Sequence, residues 1–312
     1  MFTTARTPDT TGRTWGICSR SGIGCSGRTW TPTGWSRTSP SVSGPRRIPS
    51  GSCWGCDPGV EPVVTTARPS DRSRGPLLAT QVRWWCASLD LEAQAVDRLV
   101  RHLSVDERDR AARFHFRRDA SRFVVSRAAL RIGLADCLGV EPGLIGLRYG
   151  PHGKPELAPP FDRFGLRFNV SHSESLGLYA VTRDRRVGVD IERIRPLPDL
   201  DEIAERVFSP EERLALRRLP PARRPEGFFN CWTRKEAYVK AIGSGLAHPL
   251  TRFTVSLAPG APARLEHVDD DPDAPERWRL ETLVPDPGHV AAIAVEGLTT
   301  QIAWDSPPER AA

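Results

Sequence analysis

Two acids stand two residues apart in Arg186-Val-Gly-Val-Asp190-Ile-Glu192. In an extended run both carboxylates leave one face, while Val189 and Ile191 leave the other. Adjacent like charges repel unless a cation lies between them. With no His or Cys nearby in sequence, a hard oxygen-seeking ion such as Mg2+ suits the pair. The alternative is an ordinary edge strand with its polar side in solvent. A third acid lies in Trp232-Thr-Arg-Lys235-Glu236-Ala-Tyr-Val-Lys240, where residues 232, 236 and 240 are successive i,i+4 neighbours on one helical stripe. Glu236 and Lys240 would be presented together, although a solvent-side Glu–Lys pair has the same spacing. Acids that hold a metal beside an ammonium suit attack on a pyrophosphate bond, because they neutralise charge on phosphoryl oxygens and can relieve a hydroxyl nucleophile of its proton.

The chain has three lysines, Lys154, Lys235 and Lys240, against 41 arginines, and all three fall in candidate motifs. A compact ammonium is a point charge for a phosphate oxygen, where arginine offers a planar fork. Gly150-Pro-His-Gly153-Lys154-Pro155 reads as a rigid turn presenting one lysine, and it lacks the GxxxxGK[ST] arrangement of a P-loop. Ser171 and His172 can each donate a hydrogen bond to a phosphate, though a lone histidine serves equally as a loop or core residue.

The elements that must position these groups are legible in outline. A strand is expected over residues 81–89 and a helix over 91–103. Ser104 and Glu107 then form a capping box that opens two successive helices over 107–138. Arginines 113, 117, 118, 122, 127 and 131 give that segment a basic side, which is either an anion-binding face or a solvated one. Residues 166–170 alternate as a strand ended by Ser171-His172-Ser173. Strands at 176–182 and 187–191 are expected to form a hairpin about Arg183–Arg186. Ser209 caps a helix with Pro210 at its first position, and a stronger helix over 226–242 stops at Gly243. Short strands are expected at 253–257, 278–283, 290–295 and 301–304. Strand, helices and strands are followed by helices and strands of similar content. This pattern predicts an α+β fold of two similar α+β lobes, with no residue-level repeat visible.

Composition narrows the partners. Residues 1–78 hold ten arginines and four acids, a net +6 that equals the charge of the whole chain, so the rest is neutral overall. The pI of about 9.2 therefore describes the leader and is no sign of nucleic-acid binding by the body. Rich in Gly, Pro, Ser, Thr and Arg, the leader is expected to be a disordered tail or a non-native extension from too early a start codon. It has no apolar run for secretion or a membrane span. Cys53-Trp-Gly-Cys56 alone is weak evidence for zinc or redox chemistry. Cys86, Cys137 and Cys231 lie far apart among apolar residues, as reduced thiols of a cytoplasmic protein would. The expected division is 1–78, an N-terminal lobe at 79–190 and a C-terminal lobe at 191–312.

Five motifs in order, Gly-Lys-Pro at 153–155, Phe-Asn-Val-Ser-His at 168–172, Val-Gly-Val-Asp-Ile-Glu at 187–192, Phe-Ser-Pro-Glu-Glu at 208–212 and the run from Phe228 to Leu246, resemble the 4'-phosphopantetheinyl transferases. The likeness covers about residues 80–300 and is nearest the long, monomeric branch that acts on carrier proteins of peptide, polyketide or siderophore synthesis. It implies a pseudo-dimer, in which coenzyme A binds between the two lobes and gives its phosphopantetheine arm to a serine of an acyl or peptidyl carrier protein, releasing adenosine 3',5'-bisphosphate. Asp190, Glu192 and Glu236 would bind Mg2+, with Mn2+ as a substitute. Lys240 would contact the pyrophosphate, and Lys154, Ser171 and His172 the adenosine-side phosphates. Arg113 and Arg122 match the family's early basic region and would touch the coenzyme, and Glu211 would assist the metal. The serine proton would pass to Glu236 or to a water held by the carboxylates. A pyrophosphohydrolase, a non-catalytic coenzyme A module and a nucleic-acid binder relying on the leader are the competing readings.

Overall fold

The computed structural model describes residues 77–150, 153–245, 248–298 and 301–304. The expectations for the leader and for its Cys53–Cys56 pair fall outside the described residues, apart from the last two positions of the leader. Two sheets face each other. In the first, β11 (Gln301–Trp304), β1 (Gln81–Ser88), β5 (Leu176–Arg183) and β4 (Leu166–Ser173) are neighbours in that order. In the second the order is β6 (Val187–Arg193), β10 (His289–Glu296) and β9 (Trp278–Leu283). Val82, Trp84 and Cys86 of β1 meet Val187, Val189 and Ile191 of β6 and Ala291, Ile293 and Val295 of β10 in one apolar layer between the sheets. The alternate residues of each sheet turn outward, as strand geometry requires. On the first sheet Trp85 and Tyr179 pack against Ala129, Leu130 and Leu134 of helix α3 (Arg117–Leu138). On the second, Leu280, Ala292 and Ala294 pack against Ala237, Tyr238 and Ala241 of α6 (Arg224–Ile242). The result is helix, sheet, sheet, helix, which is the expected α+β arrangement of two similar lobes.

Each lobe adds smaller parts of the same kinds. Helices α1 (Ala93–Leu99) and α2 (Val105–Ala112) lie against α3, and a ribbon of β2 (Leu147–Tyr149) and β3 (Pro155–Leu157) follows. Helices α4 (Leu200–Val207) and α5 (Pro210–Arg218) precede α6. A ribbon of β7 (Phe253–Val255) and β8 (Leu265–Val268) comes after it, and the short α7 (Ala274–Arg277) leads into β9. Among the described residues no helix is long and apolar enough to cross a membrane. Cys86, Cys137 and Cys231 are buried, and none of them is in a disulfide among the described residues.

Several expectations change. No β5–β6 hairpin forms, because the turn after Arg183 carries the chain from one sheet to the other, where β6 pairs antiparallel with β10. Thr182 Oγ1 donates to Arg185 O at 2.7 Å, and Asp184 takes a positive φ of 55°. A boundary at 190/191 would cut β6, and β11 returns to the first sheet parallel to β1, so we place the lobe boundary in the 184–186 turn. Ser171, His172 and Ser173 do not end β4 but pair with Leu178, Gly177 and Leu176 of β5. The α3 arginines do not share one solvated face, since Arg127 and Arg131 are buried.

Their burial exposes a repeat at the level of residues. Ser104 and Glu107 form the expected capping box of α2, and Glu107 then accepts from Arg131 Nε of α3 at 2.6 Å. Arg131 also donates to Pro142 O and Ile145 O. Ser209 and Glu212 form the capping box of α5, and Glu212 accepts from Lys235 Nζ of α6 at 2.7 Å, while Lys235 donates to Phe253 O. In both lobes the third residue of a capped helix is a buried acid that holds a cation of the next long helix. Lys235 is therefore a structural ion rather than a phosphate ligand.

Gly188 sets the distance between β6 and α6. A Cβ there would lie 2.1 Å from Ala237 O and 2.4 Å from Ala241 N, so no other residue allows the strand to lie this close to the helix backbone. Gly188→Ala should therefore lower stability by about 1–3 kcal/mol and the melting temperature by several degrees. Thermal unfolding that matches the parent would show the approach to be slack. Lys235→Met leaves Glu212 buried without its cation and should cost about 3–5 kcal/mol in urea unfolding, with Glu212→Gln in the same chain restoring part of the loss.

Candidate active site

Because Gly188 faces α6, so do Asp190 and Glu192, two and four residues on. The solvated-edge alternative does not hold, since Asp190 is 4% and Glu192 8% exposed. What covers them is the edge of the other sheet. Val189 N–H donates to Asn169 Oδ1 at 2.8 Å, Ser171 Oγ to Asp190 Oδ1 at 2.8 Å and Ser173 Oγ to Glu192 Oε2 at 3.0 Å. Alternate β4 residues thus form a polar ladder against β6, in a place where no backbone pairing joins the two strands.

Lys240, from the last turns of α6, completes the group. Its Nζ donates to Asp190 Oδ1 at 2.6 Å and to Ser171 Oγ at 3.1 Å. Burial alone would lower the Lys240 pKa, but the charges of Asp190 and Glu236 outweigh it and the pKa is raised. Glu236, one turn earlier, is held up at about 7, first by burial and then by the charge of Asp190. Glu192 is also held up at about 7, by burial and then by Asp190, with the Ser173 hydrogen bond opposing. Asp190 Oδ2 is buried with no hydrogen-bond partner. One lysine thus faces three crowded acids, one of them with an unsatisfied oxygen, and this set of hard oxygen donors lacks positive charge. Among the described residues no group of three or more His, Cys, Asp or Glu side chains is close enough to hold an ion by itself, and Lys240 occupies Asp190 Oδ1 while Oδ2 has no partner.

The other expected residues divide. Ser171 is in the cluster. His172 is half-buried one position along β4, and its pKa is lowered by burial, with the Lys240 charge also lowering it. Lys154 is not turned to open solvent, and its Nζ donates to Lys240 O at 2.7 Å and to Val187 O at 3.4 Å. Arg122 is engaged by Asp90 through two hydrogen bonds of 2.6 Å, and Arg113 is exposed at the end of α2. Glu211 is exposed in the first turn of α5, while its neighbour Glu212 is the buried acid.

Sequence reasoning missed Asn169, Ser173 and Arg127. The first two follow the same period of two as Asp190 and Glu192, and that matching period was the available signal. Arg127 lies over the rings of Phe123 and Tyr149, hydrogen-bonds Tyr149 Oη and sends its charge towards His172. Beyond Lys154 a cleft of about 600 Å³ opens, lined by Arg148, Arg167 and Arg186 together with Phe168 and Ile242.

The raised acids predict a pH dependence. A carboxyl whose pKa is 4.5 unfolded and about 7 folded binds more protons in the folded state between those values, so stability falls as pH rises through that window. In EDTA the melting temperature should drop between pH 5 and pH 8, and Mg2+ should flatten the slope. A flat profile in EDTA would contradict the burial of these charges.

Family models match both halves of the chain: "4'-phosphopantetheinyl transferase, N-terminal" over residues 90–183 and "4'-phosphopantetheinyl transferase superfamily" over residues 186–294. The 4'-phosphopantetheinyl transferase HetI of Nostoc sp. is 43% identical over 225 residues, 72% of this chain and 92% of the relative. A 4'-phosphopantetheinyl transferase of Bacillus subtilis is 31% identical over 61% of this chain and 85% of its own length. The human L-aminoadipate-semialdehyde dehydrogenase-phosphopantetheinyl transferase is 28% identical over 63% of this chain and 68% of its own. With both lobes matched in order and nearly the whole of one relative covered, the chain belongs to the 4'-phosphopantetheinyl transferase superfamily.

Proposed function

We propose that the cluster of Asp190, Glu192, Glu236 and Lys240 is where this transferase moves the 4'-phosphopantetheine group of coenzyme A to a serine of an acyl or peptidyl carrier protein, releasing adenosine 3',5'-bisphosphate. The observation that carries this reading is the partnerless buried Oδ2 of Asp190 beside two carboxyls held near neutrality by burial. Asp190, Glu192 and Glu236 would hold Mg2+, which when bound neutralises charge on the pyrophosphate oxygens. Lys240 brings a second positive charge to the same oxygens. Glu236, on the helix stripe beside Lys240, would take the serine proton as the new O–P bond forms and the bond to the departing bisphosphate breaks. Ser171 and His172 lie on the strand beside the acids and would donate to phosphates once Ser171 turns its hydroxyl from Asp190, and Arg113 and Arg122 would contribute from the helical face of the first lobe. Both sides of the cluster come from one chain, so a monomer suffices, and the three buried cysteines of the described residues, none in a disulfide, suit the cytoplasm.

Incubating the protein with coenzyme A, Mg2+ and several apo carrier proteins should add about 340 Da, one phosphopantetheine group, to at least one carrier by intact mass. No gain on any carrier from folded protein would overturn the reading. Glu236→Gln, which keeps the shape and removes the charge, should reduce transfer by about a hundredfold or more.

A further inference from the structure

The end of β6 is gripped from the other lobe by two neighbouring residues, the last of β4 and the first of its turn. Ser173 Oγ donates to Glu192 Oε2 at 3.0 Å and accepts from Arg193 N–H at 3.2 Å. The backbone donor fills a lone pair of the hydroxyl, so its proton is directed at the carboxylate. Ser173 is 3% exposed, and both bonds lie away from bulk water. Glu174 follows with a φ of 53° in the two-residue turn before Leu176, a left-handed position that ordinarily falls to Gly or Asn. From that position its Oε2 accepts from Arg193 Nη1 at 2.7 Å. Backbone and side chain of Arg193 are therefore tied to the same turn.

The register points the same way. Asn169 Oδ1 accepts from Val189 N–H and Ser173 Oγ from Arg193 N–H, four residues further along both strands. Two β4 side chains thus serve β6 as the carbonyls of a paired strand would, and Ser173 reaches an acid as well. Asp190 has the Lys240 ammonium at 2.6 Å to hold it, whereas Arg195 Nη1 comes only to 4.0 Å from Glu192. Ser173 and Arg195 approach the same oxygen of Glu192, Oε2, which offers Oε1 to an ion.

We propose that Ser173 is a positioning residue, which presets the Glu192 carboxylate for a divalent ion through a hydroxyl anchored on the Arg193 backbone. The proposal rests on the transferase reading, in which Glu192 helps to hold Mg2+, and it adds a residue of the other lobe that acts through Glu192 without touching ion or coenzyme. A hydrogen bond that orients a metal-binding carboxylate typically matters about tenfold or more in metal affinity.

The test is Mn2+ affinity, read by electron paramagnetic resonance with coenzyme A present and carrier protein absent, so that nothing turns over. Ser173→Ala should weaken Mn2+ binding about tenfold. With carrier protein added, it should raise the Mg2+ concentration for half-maximal activity by a similar factor, while KM for coenzyme A at saturating Mg2+ changes by less than about twofold. Ser173→Thr, which keeps the hydroxyl, should return both metal readouts to within about twofold of the parent. In a Glu192→Gln background, Ser173→Ala should change Mn2+ affinity by less than about twofold, because the group it orients is gone. Parental Mn2+ affinity in Ser173→Ala would overturn the proposal, as would losses that multiply in the double variant. A loss confined to KM for coenzyme A would also overturn it, since that is the signature of a direct contact. If Ser173→Ala does not fold, Ser173→Cys, whose thiol is a weak donor, enters the same cycle with the same criteria. A parent that transfers nothing would sink the transferase reading, while the Mn2+ cycle would still decide the role of Ser173.

Discussion

Three carboxylates packed into a poorly solvated cleft set the terms for the rest of the molecule. Such charges are tolerated only if the surrounding elements are stiff enough to hold them together against repulsion and desolvation. The stiffness comes from the glycine contact at residue 188, which fixes strand against helix, and from the β4 side chains that stand in for a missing backbone ladder. Lys240 offsets one charge, leaving a deficit of positive charge that a divalent cation would resolve. Burial first, and then the charge of Asp190, holds Glu192 and Glu236 up at about 7.

The two lobes solve one packing problem twice. Each long helix is pinned by a buried cation to the capping acid of the helix before it, and each cation goes on to bind carbonyls of the segment that follows. One lobe uses arginine and the other lysine, so the repeat lies in position and role rather than in residue identity. Only the second lobe carries the acids. The first contributes the serine edge, the asparagine and Lys154, which makes the cleft a joint product although its charge is one-sided.

Local features were legible in the sequence because they are set by neighbours a few residues apart. The capping box at Ser104, the cap at Ser209, the stop at Gly243 and the shared face of Asp190 and Glu192 all follow from spacing alone. What failed depends on pairings remote in the chain. The β5–β6 hairpin was a sound local inference that β10, about a hundred residues on, defeats by offering β6 a better-buried partner. Spacing leaves Arg127 and Arg131 on a face that is either anion-binding or solvated, and only the fold puts Glu107 beside them. Lys154 was found as a special lysine, but its acceptors are main-chain oxygens, which no side-chain pattern can announce.

The return of β11 to β1 bears on how the chain is made. That pairing sets Gln81 against Gln301, and the sheet it completes also contains β4 and β5 from the first half. During synthesis the first lobe must wait, with one flank of β1 unpaired, until residues 301–304 have emerged. Closing so long a loop is entropically slow, so these residues act as a latch on the first lobe. A ribosome-bound chain cut short of that latch presents an open strand edge to its neighbours and is the species most exposed to aggregation.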